Sequence, residues 1–133
     1  MRTRLGIVGY GEVGKIFAAG LKPQVAQVSA WDLKFAQAAT APAETGHAQQ
    51  HGVHACASMQ ELCEASELVI SAVTASNTLA VAQEAAPFLG PGTVFLDLNS
   101  ASPGTKQKAA AAIEANGAHY VDCLLYTSDA ADE

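Results

Sequence analysis

The chain has 133 residues, half of them apolar, and a formal charge of −6. That is about one domain with enough apolar surface for a core, and the acidic balance excludes a nucleic-acid backbone or an anionic membrane as main partner. No apolar run reaches the roughly 18 residues of a bilayer span. The opening stretch MRTRLGIVGYGEVG is too short and glycine-rich for a signal peptide, and three cysteines without a CxxC pair give no disulfide framework, so a cytoplasmic protein is expected.

Apolar runs alternate with helical patterns along the chain. RLGIVG (residues 4–9) is a continuous apolar run of the kind buried on both faces of a sheet. EVGKIFAAGL (residues 12–21) follows as a helix that KPQ stops. VAQVSAWD (residues 25–32) is a second strand, residues 35–51 are alanine- and glutamine-rich and partly helical, and VHAC is a weak third strand. Ser58 caps a short helix, MQELCEA. ELVISAVT (residues 67–74) is a strong strand, and Ser76 is placed to cap the helix NTLAVAQEAAPFL before GPG. TVFLDLNS (residues 93–100) is the fifth strand. Ser102 and Pro103 start the helix PGTKQKAAAAIEAN, which Gly117 stops, and AHYVDCLL is the last strand. About six apolar strands alternating with helices predict an α/β, doubly wound parallel sheet of Rossmann type, in order 3-2-1-4-5-6, as a single domain.

Gly9-Tyr10-Gly11-Glu12-Val13-Gly14 is a GxGxxG loop between a strand and a helix. In that context Gly9 permits the turn, Gly11 leaves room for a pyrophosphate, and Gly14 lets helix and sheet approach. The helix N-terminus offers free N–H groups to an anion, while Glu12 suits the dipole and disfavours an extra phosphate. Asp32 ends the second strand eighteen residues past Gly14, near the spacing of a ribose-binding acid. It would repel a 2′-phosphate, which favours NAD over NADP, with Lys34 partly offsetting this. A plain backbone-capping role is the alternative for Asp32. Ligands of open α/β sheets bind at the carboxyl strand ends. The fourth strand brings Val73, Thr74 and Asn77 there, and the fifth brings Asn99 and Ser100.

His47 and His51 would share a helix face, but Gly52 breaks the helix before His54 and Cys56. Solvated histidines are the better reading, and no metal ligands are assigned. Cys63 and Asp122 have no base at a defined spacing, so core packing and strand-end capping are expected of them.

GIVGYGEVG, AWDLK, ELVISAVTASNTLAVAQEAAPFLGPGTVFLDLNSASPGTKQ and GAHYVDC together resemble the N-terminal domain of the β-hydroxyacid dehydrogenases, the family of 3-hydroxyisobutyrate and 6-phosphogluconate dehydrogenases. The resemblance covers residues 4 to about 123. It implies an NAD- or NADP-binding domain of an oxidoreductase that moves hydride to or from a small β-hydroxy acid or sugar acid. By position, Gly9, Gly11 and Gly14 match the dinucleotide loop and Asp32 the ribose acid. Thr74 and Asn77 fall on the loop over the cofactor, and Ser100 beside the nicotinamide. The family's catalytic lysine lies on a later helix, in an all-helical domain that also forms the dimer interface. No lysine here matches it, so no catalytic residue is assigned. A nucleotide-sensing regulatory module is the alternative. A methyltransferase using S-adenosylmethionine fits less well, because it usually lacks the tight glycine spacing.

The end of the chain, CLLYTSDAADE, departs from the family, which places a substrate loop there. It is similar to the translation of a common transposase sequencing adapter. The expectation is a dinucleotide-binding domain over residues 1–122 and a non-native tail over residues 123–133, with the helical catalytic domain absent and the fragment inactive alone.

Overall fold

The computed structural model of the chain describes residues 3–123. Its elements are β1 (Arg4–Val8), α1 (Glu12–Leu21), β2 (Gln27–Trp31), α2 (Ala41–Gln50), β3 (His54–Ala55), α3 (Met59–Glu64), β4 (Leu68–Ser71), α4 (Thr78–Ala85), β5 (Val94–Asp97), α5 (Pro103–Glu114) and β6 (His119–Asp122). The strands form one parallel sheet in the order β3-β2-β1-β4-β5-β6, the doubly wound Rossmann order expected.

The apolar run of β1 belongs at the centre because both its faces are covered, and Leu5, Ile7 and Val8 are all buried. Successive side chains point to opposite faces. A Cβ on Gly6 would run into the Ser66 side chain just after α3, whereas Ile7 lies beneath α1 near Gly14. On the face of Ile7, α1 and α2 are tied by the ion pair of Lys15 Nζ and Glu44 Oε1 at 3.0 Å. On the other face α3, α4 and α5 pack side by side. The register Ile7, Ile70, Leu96, Val121 continues across the first face. Over β5 and β6 that face carries no helix among the described residues, and Val121 is 43 % exposed.

Strands are shorter than the apolar runs, for local reasons. Pro23 lies in a 3-10 turn over Lys22–Gln24, so β2 begins at Gln27. Ala72 N and Leu98 N still donate to Val8 O at 2.8 Å and Ser71 O at 3.1 Å, and residues 73–74 and 99–100 leave the sheet after β4 and β5. Ser58 and Ser102 cap α3 and α5, accepting from Glu61 N at 3.1 Å and Thr105 N at 3.2 Å. Ser76 does not cap α4. A 3-10 turn over Ala75–Asn77 runs into that helix, and the polar side chains bond one another: Asn77 Nδ2 donates to Thr74 Oγ1 at 2.8 Å, and Thr74 and Ser76 hydroxyls lie 3.3 Å apart. Cys123 N donates to Asp97 O at 2.8 Å and prolongs the β6 ladder by one residue. Leu124, Leu125 and the rest of the expected tail lie outside the described residues. No helix among the described residues is long and apolar enough to cross a membrane.

Candidate functional site

At the carboxyl ends of β1, β2 and β4 a crevice of about 540 Å³ opens, a volume typical of small-molecule sites. Its floor is the turn from β1 into α1. Gly9 sits at φ +99°, and a Cβ there would strike the Ala72 carbonyl oxygen, so only glycine lets β1 and the segment after β4 come this close. Gly14 is equally constrained, since its Cβ would strike the Gly9 carbonyl oxygen. Gly11 differs: nothing lies within 4 Å of where its Cβ would be. It lines the crevice and is the N-cap of α1, with no side chain capping that helix. The first N–H groups of α1 are therefore left for a ligand, at the positive end of the helix dipole. An open space where a Cβ would stand, beside uncapped N–H groups, fits a diphosphate.

Asp32 does two things at once. Its Oδ2 accepts Tyr10 N at 2.7 Å and its Oδ1 accepts Lys34 N at 2.9 Å, while its side chain lines the crevice. The backbone-capping alternative is thus realised, and the carboxylate buckles the glycine loop onto the end of β2. Gly9 N to Trp31 O at 2.9 Å reinforces the same junction. Each carboxylate oxygen keeps a further acceptor site for hydroxyl groups.

Of the expected site residues, Gly9, Gly11, Glu12, Val13, Asp32, Val73, Thr74 and Asn77 line this one crevice. Tyr10, Gly14, Asn99 and Ser100 do not. The Tyr10 ring turns into the core between α1 and α2, where it meets Phe35 and shares a 2.7 Å hydrogen bond with His47 Nδ1. Asn99 is buried and works through its neighbours. Its Oδ1 accepts Val73 N at 2.8 Å and its Nδ2 donates to Ser71 Oγ at 2.9 Å, holding the segment that forms the crevice wall. Ser100 is exposed beyond the end of β5.

The sequence reading missed the apolar part of the wall: Trp31, Leu33, Met59 and Val81. Leu33 is 68 % exposed and Val13 41 % exposed, on either side of Asp32 and Gly11. Large apolar side chains left in solvent at a cleft mouth are suited to a flat ring. The signal was present, since Leu33 directly follows the acid, but its exposure is a tertiary fact.

A buried charged cluster at the end of β5 also went unread. Asp97 accepts Asn99 N at 2.8 Å and the Tyr120 hydroxyl at 2.7 Å. Lys106 Nζ lies 2.6 Å from Asp122 Oδ1 and 3.4 Å from Asp97 Oδ1. Asp122 therefore pairs with a lysine instead of capping a strand end. Burial, then the bond to Asp97, pushes the Tyr120 phenol upward. Cys63 packs in the core as expected, and burial pushes its thiol up to about 12.

The model of a family described as the NAD binding domain of 6-phosphogluconate dehydrogenase matches residues 4–124. The chain is 27 % identical over 128 residues to the 2-(hydroxymethyl)glutarate dehydrogenase of Eubacterium barkeri, a match covering 90 % of this chain and 38 % of that protein. Among solved structures it resembles a conserved hypothetical protein from Sinorhizobium meliloti 1021, with a TM-score of 0.86 at 35 % identity, covering 92 % of this chain and 41 % of the other. It shares the fold of the Mycobacterium tuberculosis 3-hydroxyisobutyrate dehydrogenase, with a TM-score of 0.80 at 23 % identity, covering 93 % and 40 %. The chain spans about two fifths of the length of these relatives.

Proposed function

The chain belongs to the family of the NAD binding domain of 6-phosphogluconate dehydrogenase, and from that premise we propose that its crevice holds NAD in preference to NADP. The observation that carries this is the open space at Gly11 beside the uncapped start of α1, with Asp32 lining the same crevice and bonded to Tyr10 N next to it. In this reading the N–H groups of Glu12, Val13 and Gly14 bind the pyrophosphate. Asp32 accepts from the adenosine ribose hydroxyls, and Leu33 and Val13 flank the adenine. Asp32 and Glu12 oppose a 2′-phosphate, while Lys34 tempers that preference. Val73, Thr74 and Asn77 line the wall toward the nicotinamide end.

The nicotinamide, when bound, supplies the hydride donor or acceptor for a small β-hydroxy acid or sugar acid. This chain's residues orient the cofactor and leave the proton transfer to another group. Lys15 pairs with Glu44, and Lys106 pairs with Asp122 and Asp97. As the resemblance to the β-hydroxyacid dehydrogenases implies, the reading places the general acid/base in a further, helical domain of a homodimeric enzyme, and expects this chain to bind cofactor without turnover.

Trp31 is the chain's one tryptophan and lines the crevice, so energy transfer to NADH reports occupancy directly. Saturable quenching of Trp31 with matching sensitised NADH emission is expected, stronger for NADH than NADPH. A folded sample showing neither with either cofactor would refute the proposal.

A further inference from the structure

The histidine- and cysteine-bearing stretch that the cofactor reading leaves unused is rearranged by the fold. His47 and His51 stack at 4.1 Å between ring centroids, and their Nδ1 atoms bond Tyr10 Oη and His47 O. His54 and Cys56 instead meet Glu61, from the first turn of α3. One ligand atom from each of these three lies within 4.8 Å of the other two.

We propose that His54, Cys56 and Glu61 form a binding site for a divalent zinc-class metal ion. The donor set, one nitrogen, one sulfur and one oxygen, is that of borderline-soft ions. His54 Nε2 and Glu61 Oε1 are 3.4 Å apart. A tetrahedral ion with bonds of about 2.0–2.1 Å needs its nitrogen and oxygen ligands about 3.4 Å apart. Cys56 Sγ lies within 4.8 Å of both partners, against the roughly 3.5 Å of a tetrahedral zinc thiolate, so an ion would draw the sulfur inward.

Two of the three ligands are held in advance. Glu61 Oε1 accepts Ala57 N at 2.9 Å while Glu61 N donates to Ser58 Oγ, so the carboxylate is fixed by the helix cap. Cys56 N donates to Ala30 O at 2.8 Å, which fixes the cysteine at the end of β3.

A helix cap and a surface ion pair account for Glu61 with His54, and without an ion the Cys56 thiol donates a long bond of 4.0 Å to His54 O. An ordinary cysteine thiol carries its proton at neutral pH. Metal binding forms the metal–sulfur bond, breaks S–H and releases that proton to solvent. A dication, thiolate, carboxylate and neutral imidazole sum to zero charge, with water as fourth ligand.

The test is Co²⁺ titration of the chelator-treated chain, followed by Zn²⁺ calorimetry in two buffers of different ionisation enthalpy. Expected are a thiolate-to-cobalt charge-transfer band, visible bands of tetrahedral intensity, and about one proton released per Zn²⁺. Cys56→Ser should abolish the charge-transfer band, and Cys123→Ser should leave it intact. His54→Gln, at an exposed position that leaves the core untouched, should weaken Zn²⁺ binding tenfold or more. A folded parent chain with no charge-transfer band at millimolar Co²⁺ would overturn the proposal. So would a band that survives Cys56→Ser, or His54→Gln binding zinc as tightly as the parent.

Discussion

Gly11→Val puts an isopropyl group where the structure has open space. The backbone there is at φ −91° and ψ −158°, an extended conformation that valine adopts readily. Beyond the adjoining residues nothing lies within 4 Å of the new Cβ, so the fold has room for the base of the side chain. Loss of glycine's freedom in the unfolded chain even favours folding slightly, by about 0.4–1 kcal/mol. The ligand is affected differently. The side chain would occupy the space in front of the α1 N–H groups. A hydrogen bond to a charged group contributes about 1.5–3 kcal/mol, so losing two costs about 3 kcal/mol or more, on the order of 100-fold in affinity. Trp31-to-NADH energy transfer reads the affinity and a thermal melt reads the fold. Gly14→Ala is the contrasting control. Its Cβ strikes the Gly9 carbonyl oxygen, which should destabilise the fold by about 1–3 kcal/mol. The reasoning fails if Gly11→Val binds NADH within threefold of the parent, or if it melts as far below the parent as Gly14→Ala does.

Asp32→Ser should raise the ratio of NADPH to NADH affinity about tenfold, since removing one charge near a 2′-phosphate is worth about 1 kcal/mol or somewhat more in water; an unchanged ratio in competition titrations would remove Asp32 from the specificity argument. Lys106→Met should destabilise the fold by about 3 kcal/mol, because Asp97 is 1 % exposed and would lose its buried cation; a urea midpoint indistinguishable from the parent's would show the cluster to be slack. Acid should weaken the fold in two windows. Burial holds the His47 imidazole below its ordinary 6.5, so its contribution is complete above that pH and is lost as pH falls through the folded value. Lys15 holds the Glu44 carboxyl below its ordinary 4.5, so that contribution goes only at lower pH. His47→Gln should flatten the upper window alone in melts from pH 7 to 4, and a parent melting temperature constant from pH 7 to 5 would contradict the assignment.

Much of the crevice was legible because it depends on local rules. A buried strand, a glycine turn and a helix start are adjacent in the chain, so Gly9, Gly11 and Gly14 could be assigned their steric tasks before any fold was known. Ser58, Ser102 and Pro103 were legible for the same reason, since capping spans three or four residues. Ser76 was misread because a 3-10 turn and a cap draw on the same residue types, and only the backbone path separates them. The apolar wall of Leu33, Met59 and Val81 was hidden, because a leucine in a loop and a leucine in a core look alike until exposure is known.

By itself, the sequence determined the parallel sheet, its strand order and the end of the sheet at which the crevice opens. Apolar periodicity and right-handed crossovers leave few other ways to bury these strands. Tertiary structure alone decided which polar groups meet. Asp32 reaches back 22 residues to Tyr10 N, Asn99 reaches 26 to Val73 N and 28 to Ser71, and Lys106 finds Asp122 across α5 and β6. Those pairings follow from strand register and from which face each residue takes, and a one-residue slip in either would break them. The same register brings His54 and Cys56 to Glu61 and parts them from His47 and His51.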